Sequence, residues 1–281
     1  FLVPYCHPDW AWTFTRNWHI KRYLLVFKEV IDIIEKRKEF RWYMDTYITE
    51  FEPFLKKEKL LLNQLKKLVR NGKIEICGSF TNLRPSMVGE ETQIRDLIIG
   101  REKYKKIFPF AKLDVYAENV DVSVGHPQIP QILKKAGYKY LRFWRPHGAL
   151  SKENVPLEFY WVGLDGSEIL TSRGCYSGLN YCENLEENFK KEVEYYLKNS
   201  KTKIIWISIG SDDSRPLKTP YSDIEIPIFD FIEKMKEKIE IKFATPKEYF
   251  KEIEKEKLEK FKISLDPCEV SYNVGWGGNN G

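Results

Sequence analysis

Short apolar runs alternating with longer stretches of helical periodicity constrain this chain more than any other feature of its sequence. Strand-length runs fall at residues 1–4, 41–44, 74–77, 114–116, 140–143, 204–209 and 240–243. Between them, apolar residues recur at roughly helical spacing: Trp18, Leu25, Val26, Ile33 and Ile34; then Leu60, Leu61, Leu65 and Leu68; later Ile98, Ile99 and Tyr104. Repeated strand-then-helix units build a parallel sheet with right-handed crossovers. The expected fold class is therefore α/β, a seven-stranded parallel (β/α) barrel-like domain, although an open sheet also satisfies the pattern. Gly137 stands where a helix over 129–136 should end, and Thr245-Pro-Lys-Glu248 reads as a capping box with Pro at the first helical position. One hairpin, 159–162 and 168–171 around the turn Leu164-Asp-Gly-Ser167, breaks the alternation.

The chain is long enough for one large domain, and 42% hydrophobic residues supply a sizeable core. Residues 1–265 read as that domain, and 266–281 as a tail or the start of a downstream region. Net charge is +5, but Lys and Glu interleave along 234–242 and 251–260. This pattern makes solvated helix faces, not a nucleic-acid stripe. Cys6, Cys77, Cys175, Cys182 and Cys268 show no C-x-x-C spacing, and their odd number points to a reducing compartment, taken as cytoplasmic. No run is long and apolar enough to span a membrane. The first residue is Phe rather than Met, which is compatible with a removed leader.

In a parallel α/β fold the working residues gather at the carboxyl ends of the strands. Three segments stand there. His7-Pro-Asp9 follows the first strand, with Trp10 and Trp12 beside it; in extended chain, residues two apart point the same way and converge on one cation. Glu118-Asn-Val-Asp-Val-Ser-Val-Gly-His126 follows the fourth. Gly210-Ser-Asp-Asp-Ser-Arg-Pro216 follows the apolar run 204–209. A metal held by His7, Asp9 and a later Asp, with two carboxyls in acid and nucleophile roles, becomes possible. Each segment also has a plainer use. Asp121 suits a helix cap, Asp212-Asp213 an acidic turn, His126 a structural turn, and His19 helix packing. His147 has no acidic neighbours in sequence that suggest metal binding.

Together, and in this order, these segments resemble the catalytic domain of family 38 glycoside hydrolases, the zinc-dependent retaining α-mannosidases. His7-Pro-Asp9-Trp-Ala-Trp12 is similar to the family's His-Asn-Asp-Pro-Gly-Trp. Asp121-Val-Ser-Val-Gly-His126 is similar to Asp-Pro-Phe-Gly-His, and Ser211-Asp-Asp-Ser-Arg215 to Gly-Asp-Asp-Phe-Arg. The hairpin with Gly163-Leu-Asp-Gly-Ser167, Asn71-Gly-Lys-Ile-Glu75, the helix around Gly100 and Lys242-Phe-Ala-Thr-Pro-Lys-Glu-Tyr249 add to the likeness, which runs over about residues 1–265. The resemblance implies that His7, Asp9 and Asp121 bind zinc, that Asp121 is also the nucleophile, and that Asp213 is the general acid and then base. It implies further that Trp12, Arg145 and Arg215 contact an α-mannoside-containing carbohydrate. The family takes a fourth ligand, a His, from beyond the barrel, which implies a downstream domain or partner chain completing the site. The chain departs from the family at Trp10-Ala11 and Val122-Ser123. Two other readings of such a barrel are a metal-dependent carbohydrate deacetylase, whose usual His-x-x-x-His is absent here, and a sugar- or partner-binding barrel without turnover.

Overall fold

The strands are β1 (Leu2–Pro4), β2 (Trp42–Met44), β3 (Ile74–Ile76), β4 (Val115–Ser123), β5 (Tyr140–Arg145), β6 (Glu158–Val162), β7 (Glu168–Arg173), β8 (Ile207–Ile209) and β9 (Lys260–Phe261). Packed among them are α1 (Arg16–Lys36), α2 (Ile48–Leu55), α3 (Lys59–Arg70), α4 (Glu90–Ile107), α5 (Ile129–Lys135), α6 (His147–Lys152), α7 (Leu185–Asn199), α8 (Ile228–Met235) and α9 (Pro246–Ile253). This computed structural model describes residues 1–263 apart from 11, 46–47, 82, 84–87, 124–126, 175–177 and 180–183, and excludes the side chains of 50 and 118–123. His126, Cys175, Cys182, Cys268 and the tail 266–281 therefore lie outside the described residues.

The hydrogen-bonded ladders are β1–β8, β2–β3 and β4–β5–β7–β6–β9. All pairs are parallel except β6–β7, the hairpin, whose turn carries Gly166 at φ +83 and Ser167 N–H donating to Asp165 Oδ1. Cys77 N–H donates to the Met44 carbonyl (3.1 Å), extending the β2–β3 ladder, and a single bond from Ala117 N–H to the Cys77 carbonyl (3.4 Å) carries it toward β4. Among the described residues the ladders do not close into a barrel, so the observed architecture is an α/β fold with three separate ladders. The run 240–243 is not a strand. It meets β1 by one bridge, Leu2 to Phe243, in which Leu2 N–H donates to the Lys242 carbonyl and the Leu2 carbonyl accepts from Ala244 N–H. A single bridge is too little pairing to extend a sheet.

Helix α1 shows how periodicity alone misplaces a face. Thr15 caps it by accepting from Trp18 N–H, and its buried stripe is His19, Tyr23, Val26, Phe27, Val30, Ile31 and Ile34. Leu25, next to Val26 but rotated by about 100°, is exposed, as are Leu60 and Ile98. Burying each large apolar side chain of the stripe contributes about 1.5–3 kcal/mol, which outweighs leaving one Leu in water. Gly137 follows α5 at φ +89, a left-handed position that glycine occupies without steric cost. The capping box of α9 is formed by Thr245 and Glu248. Its Lys247 N–H also donates to Glu75 Oε2 of β3 (2.7 Å), tying that strand to the helix start. Burial pushes the Glu75 carboxyl up to about 7 against the pull of this bond. Among the described residues, no helix is long and apolar enough to cross a membrane.

Candidate metal centre

Strands β1 and β8 pair in parallel, Leu2 opposite Ile207 and Pro4 opposite Ile209. Beyond them the two chains stay together: Tyr5 N–H donates to the Ile209 carbonyl (2.9 Å), His7 N–H to the Ser211 carbonyl (3.1 Å), and Asp213 N–H to the His7 carbonyl (2.8 Å). His7 therefore faces Asp212 across an isolated bridge. Ligand atoms of His7, Asp9 and Asp212 all lie within 4.8 Å of one another, His7 buried and both acids half-buried. One imidazole and two carboxylates form a donor set that suits zinc.

The ring of His7 is oriented from behind. Its Nδ1 meets Oδ2 of the fully buried Asp45 at 2.9 Å, so Nε2 is the nitrogen a metal would take. Burial pushes the Asp45 carboxyl up, while the bond to His7 pulls it down. Asp45 directly follows β2, at the carboxyl end of a strand like the three segments singled out in the sequence. That position was the available signal for it, but a lone Asp without a partner motif does not stand out. Asp45→Asn is expected to weaken zinc binding by about 10–100-fold, read by calorimetric titration.

The adjacent acids Asp212 and Asp213 part company. Asp212 joins His7 and Asp9, whereas Asp213 turns inward and is 2% exposed. Its Oδ1 accepts from Tyr23 hydroxyl (3.0 Å) and from Asp9 N–H (3.3 Å). Asp121 falls two residues before the end of β4, in a stretch where the register with β5 shifts between Asn119–Phe143 and Ser123–Arg145; its side chain is outside the described residues. Arg145 ends β5, before the cis Arg145–Pro146 bond. Arg215 pairs with Glu29 of α1 through Nε (2.9 Å) and Nη2, and with Asp223 (3.5 Å). Trp12 is 61% exposed on the turn closed by its N–H to the Asp9 carbonyl. Trp10 packs on His19, Phe51 and Phe54, making an aromatic wall on this side.

His147 is hydrogen-bonded to Tyr195 hydroxyl through Nε2 (2.5 Å) and accepts from Arg173 at Nδ1 (3.1 Å). Burial first, then Arg173, lowers its pKa to about 3, so it stays a neutral ring. A cavity of about 1060 Å³ lies elsewhere, lined by Phe1, Arg41, Glu75, Phe110, Phe229 and Lys247 among others, and none of the His7 group lines it.

Comparison with known proteins agrees with the fold. The structure superposes on an α-mannosidase from Enterococcus faecalis V583 with a TM-score of 0.75 at 18% identity, covering 93% of this chain and 30% of that one. A putative polysaccharide deacetylase from Mycobacterium smegmatis superposes at 0.62 with 11% identity, covering 94% of each chain. In sequence, alpha-mannosidase 2 of Drosophila melanogaster is 27% identical over 170 residues, 57% of this chain and 15% of the relative. The chain thus spans only a fraction of the length of the mannosidases it matches. The model of the glycosyl hydrolases family 38 N-terminal domain matches residues 1–268, nearly the whole chain, and the protein belongs to that family.

Proposed function

We propose that the chain carries the catalytic centre of a retaining glycosidase acting on α-mannosides or close α-glycosides. The observation that carries this reading is the convergence of His7, Asp9 and Asp212 at the carboxyl ends of β1 and β8 in a family 38 domain. The metal, zinc in this proposal, would be held by His7, Asp9 and Asp121. When bound, it would supply Lewis-acid stabilisation and chelation of vicinal sugar hydroxyls.

The remaining chemistry belongs to the side chains. Asp121 is the proposed nucleophile, attacking the anomeric carbon. The proton for the leaving oxygen, and its later removal from water, we assign to Asp213. It follows Asp212 in the loop after β8, and its Oδ1 accepts from Asp9 N–H and Tyr23 hydroxyl beside the His7 group. A retaining mechanism requires Asp121 and the acid to stand about 5–5.5 Å apart. Asp45 holds the His7 ring, and Trp12 offers an exposed face for a pyranose. Arg145 is proposed to contact the sugar. Arg215 would do so only by releasing Glu29 or Asp223.

Chelator-treated protein is expected to lose hydrolysis of an aryl α-mannoside and to regain it with added zinc, releasing the α-anomer first by NMR. Turnover unaffected by chelation, or first release of the β-anomer, would overturn the reading. The deacetylase-like fold makes acetate release from an acetylated glycan the appropriate control.

A further inference from the structure

Helix α1 reaches the proposed acid with two consecutive residues. Arg22 Nε donates to the Asp213 carbonyl (2.8 Å), and Tyr23 hydroxyl donates to Asp213 Oδ1 (3.0 Å). Asp213 N–H donates to the His7 carbonyl (2.8 Å), and its backbone is left-handed at φ +50, a conformation that Asp tolerates better than most residues. With both backbone groups held, only the side-chain torsions remain to aim the carboxyl. Those are set at Oδ1, which also accepts from Asp9 N–H (3.3 Å) and lies 3.3 Å from His19 Nδ1. All of these side-chain contacts fall on Oδ1 and none on Oδ2.

A protonated carboxyl carries its proton on one oxygen and keeps the other as an acceptor. An oxygen that already receives an O–H and an N–H is the acceptor, which leaves Oδ2 for the proton. Tyr23 is itself fixed. It is 1% exposed, its ring meets Phe51 edge-on at 5.0 Å, and its oxygen accepts from the Cys6 thiol (3.3 Å). The bond from Cys6 turns the phenolic proton toward Asp213, because an ionised carboxylate can only accept. We propose that Tyr23 is a positioning residue for the acid: with Asp9 N–H it holds Oδ1 as the accepting oxygen and so presents Oδ2 as the one that gives and takes the proton. In the first step the Oδ2–H bond breaks as the glycosidic oxygen takes the proton and its bond to the anomeric carbon breaks. The same two donors stabilise the carboxylate left behind, and the water that hydrolyses the glycosyl-enzyme returns the proton. The inference rests on reading Asp213 as the acid and base.

The test uses the whole chain with added zinc, each variant held below its own melting temperature, on an unactivated and a dinitrophenyl α-mannoside. Tyr23→Phe removes one hydroxyl and keeps the ring. Its kcat/KM for the unactivated substrate is expected to fall about 10–100-fold, the cost of a misplaced catalytic group. The dinitrophenyl substrate, which departs with little need of protonation, should be nearly spared, and zinc affinity by calorimetric titration should be retained. Within Asp213→Asn the same change should cost nothing further, because residues that act as a unit are not additive. Phe27→Leu, a core change one turn further along α1, should lower the melting temperature and leave the ratio of the two substrates unaltered. Unchanged kinetics in Tyr23→Phe, or equal losses on both substrates, overturn the inference alone. So does a full further loss in the Asp213→Asn background, or a shifted substrate ratio in Phe27→Leu, since packing would then account for the effect. No turnover of either substrate by the unaltered chain overturns the glycosidase reading, and the inference with it.

Discussion

Asp213→Asn is expected to lower turnover of an unactivated α-mannoside by about 10²–10⁴-fold, the usual contribution of a positioned acid–base group. An amide cannot give up a proton to the departing oxygen, while its size and its capacity to accept from Tyr23 and Asp9 N–H are kept. The loss should depend on the leaving group. A dinitrophenyl glycoside departs with little need of protonation, so its first step should be nearly spared and the glycosyl-enzyme should accumulate as a burst. Asp212→Asn under the same assay should show no such dependence. Equal losses for both aglycones in Asp213→Asn, without a burst, would remove Asp213 from the acid–base role.

A second large effect is expected from one added methyl group. Gly210 closes β8 against β1, and a Cβ there would press into the Tyr5 carbonyl oxygen and lie 2.8 Å from the Tyr5 carbonyl carbon. Both are backbone atoms, so no side chain can swing aside. Gly210→Ala must push Tyr5 away from Ile209, and the pairing of Leu2, Val3 and Pro4 with Ile207, Ser208 and Ile209 lies immediately below. Overpacking of this kind costs about 1–3 kcal/mol and sometimes more. The strain also falls between the two segments that bring His7 to Asp212. Denaturant unfolding should therefore show lost stability, and zinc titration should show lost affinity in the protein that remains folded. A variant with unaltered unfolding and unaltered zinc binding would mean that the β1–β8 contact yields to a methyl group without cost.

Part of this site was readable before any coordinates. His7 and Asp9 are two residues apart in extended chain, so their convergence is a local property of the backbone, and they do meet. The turn 164–167, the α9 capping box and the glycine after α5 are likewise local, each set by hydrogen bonds within a few residues. Resemblance to family motifs placed the acidic pair after β8 and implied the acid–base role for Asp213, but it did not foretell that Asp212 is the one that joins His7 and Asp9. Their opposite directions follow from the left-handed backbone at Asp213 and from the buried partners waiting on α1, some 190 residues earlier in the chain.

What the sequence determined by itself was the alternation of strand and helix, the loops that hold the chemistry, and the residues paired at short range, because these follow from periodicities of two and 3.6 residues and from single-turn capping. Only the tertiary structure decided that β8 lies beside β1, that Asp45 backs His7, that Asp212 rather than its neighbour completes the group, and that the ladders remain separate among the described residues. Those outcomes depend on which strands pair and what each buried polar atom finds across the core. Such partners are distant along the chain, and each is settled only when all the others are in place.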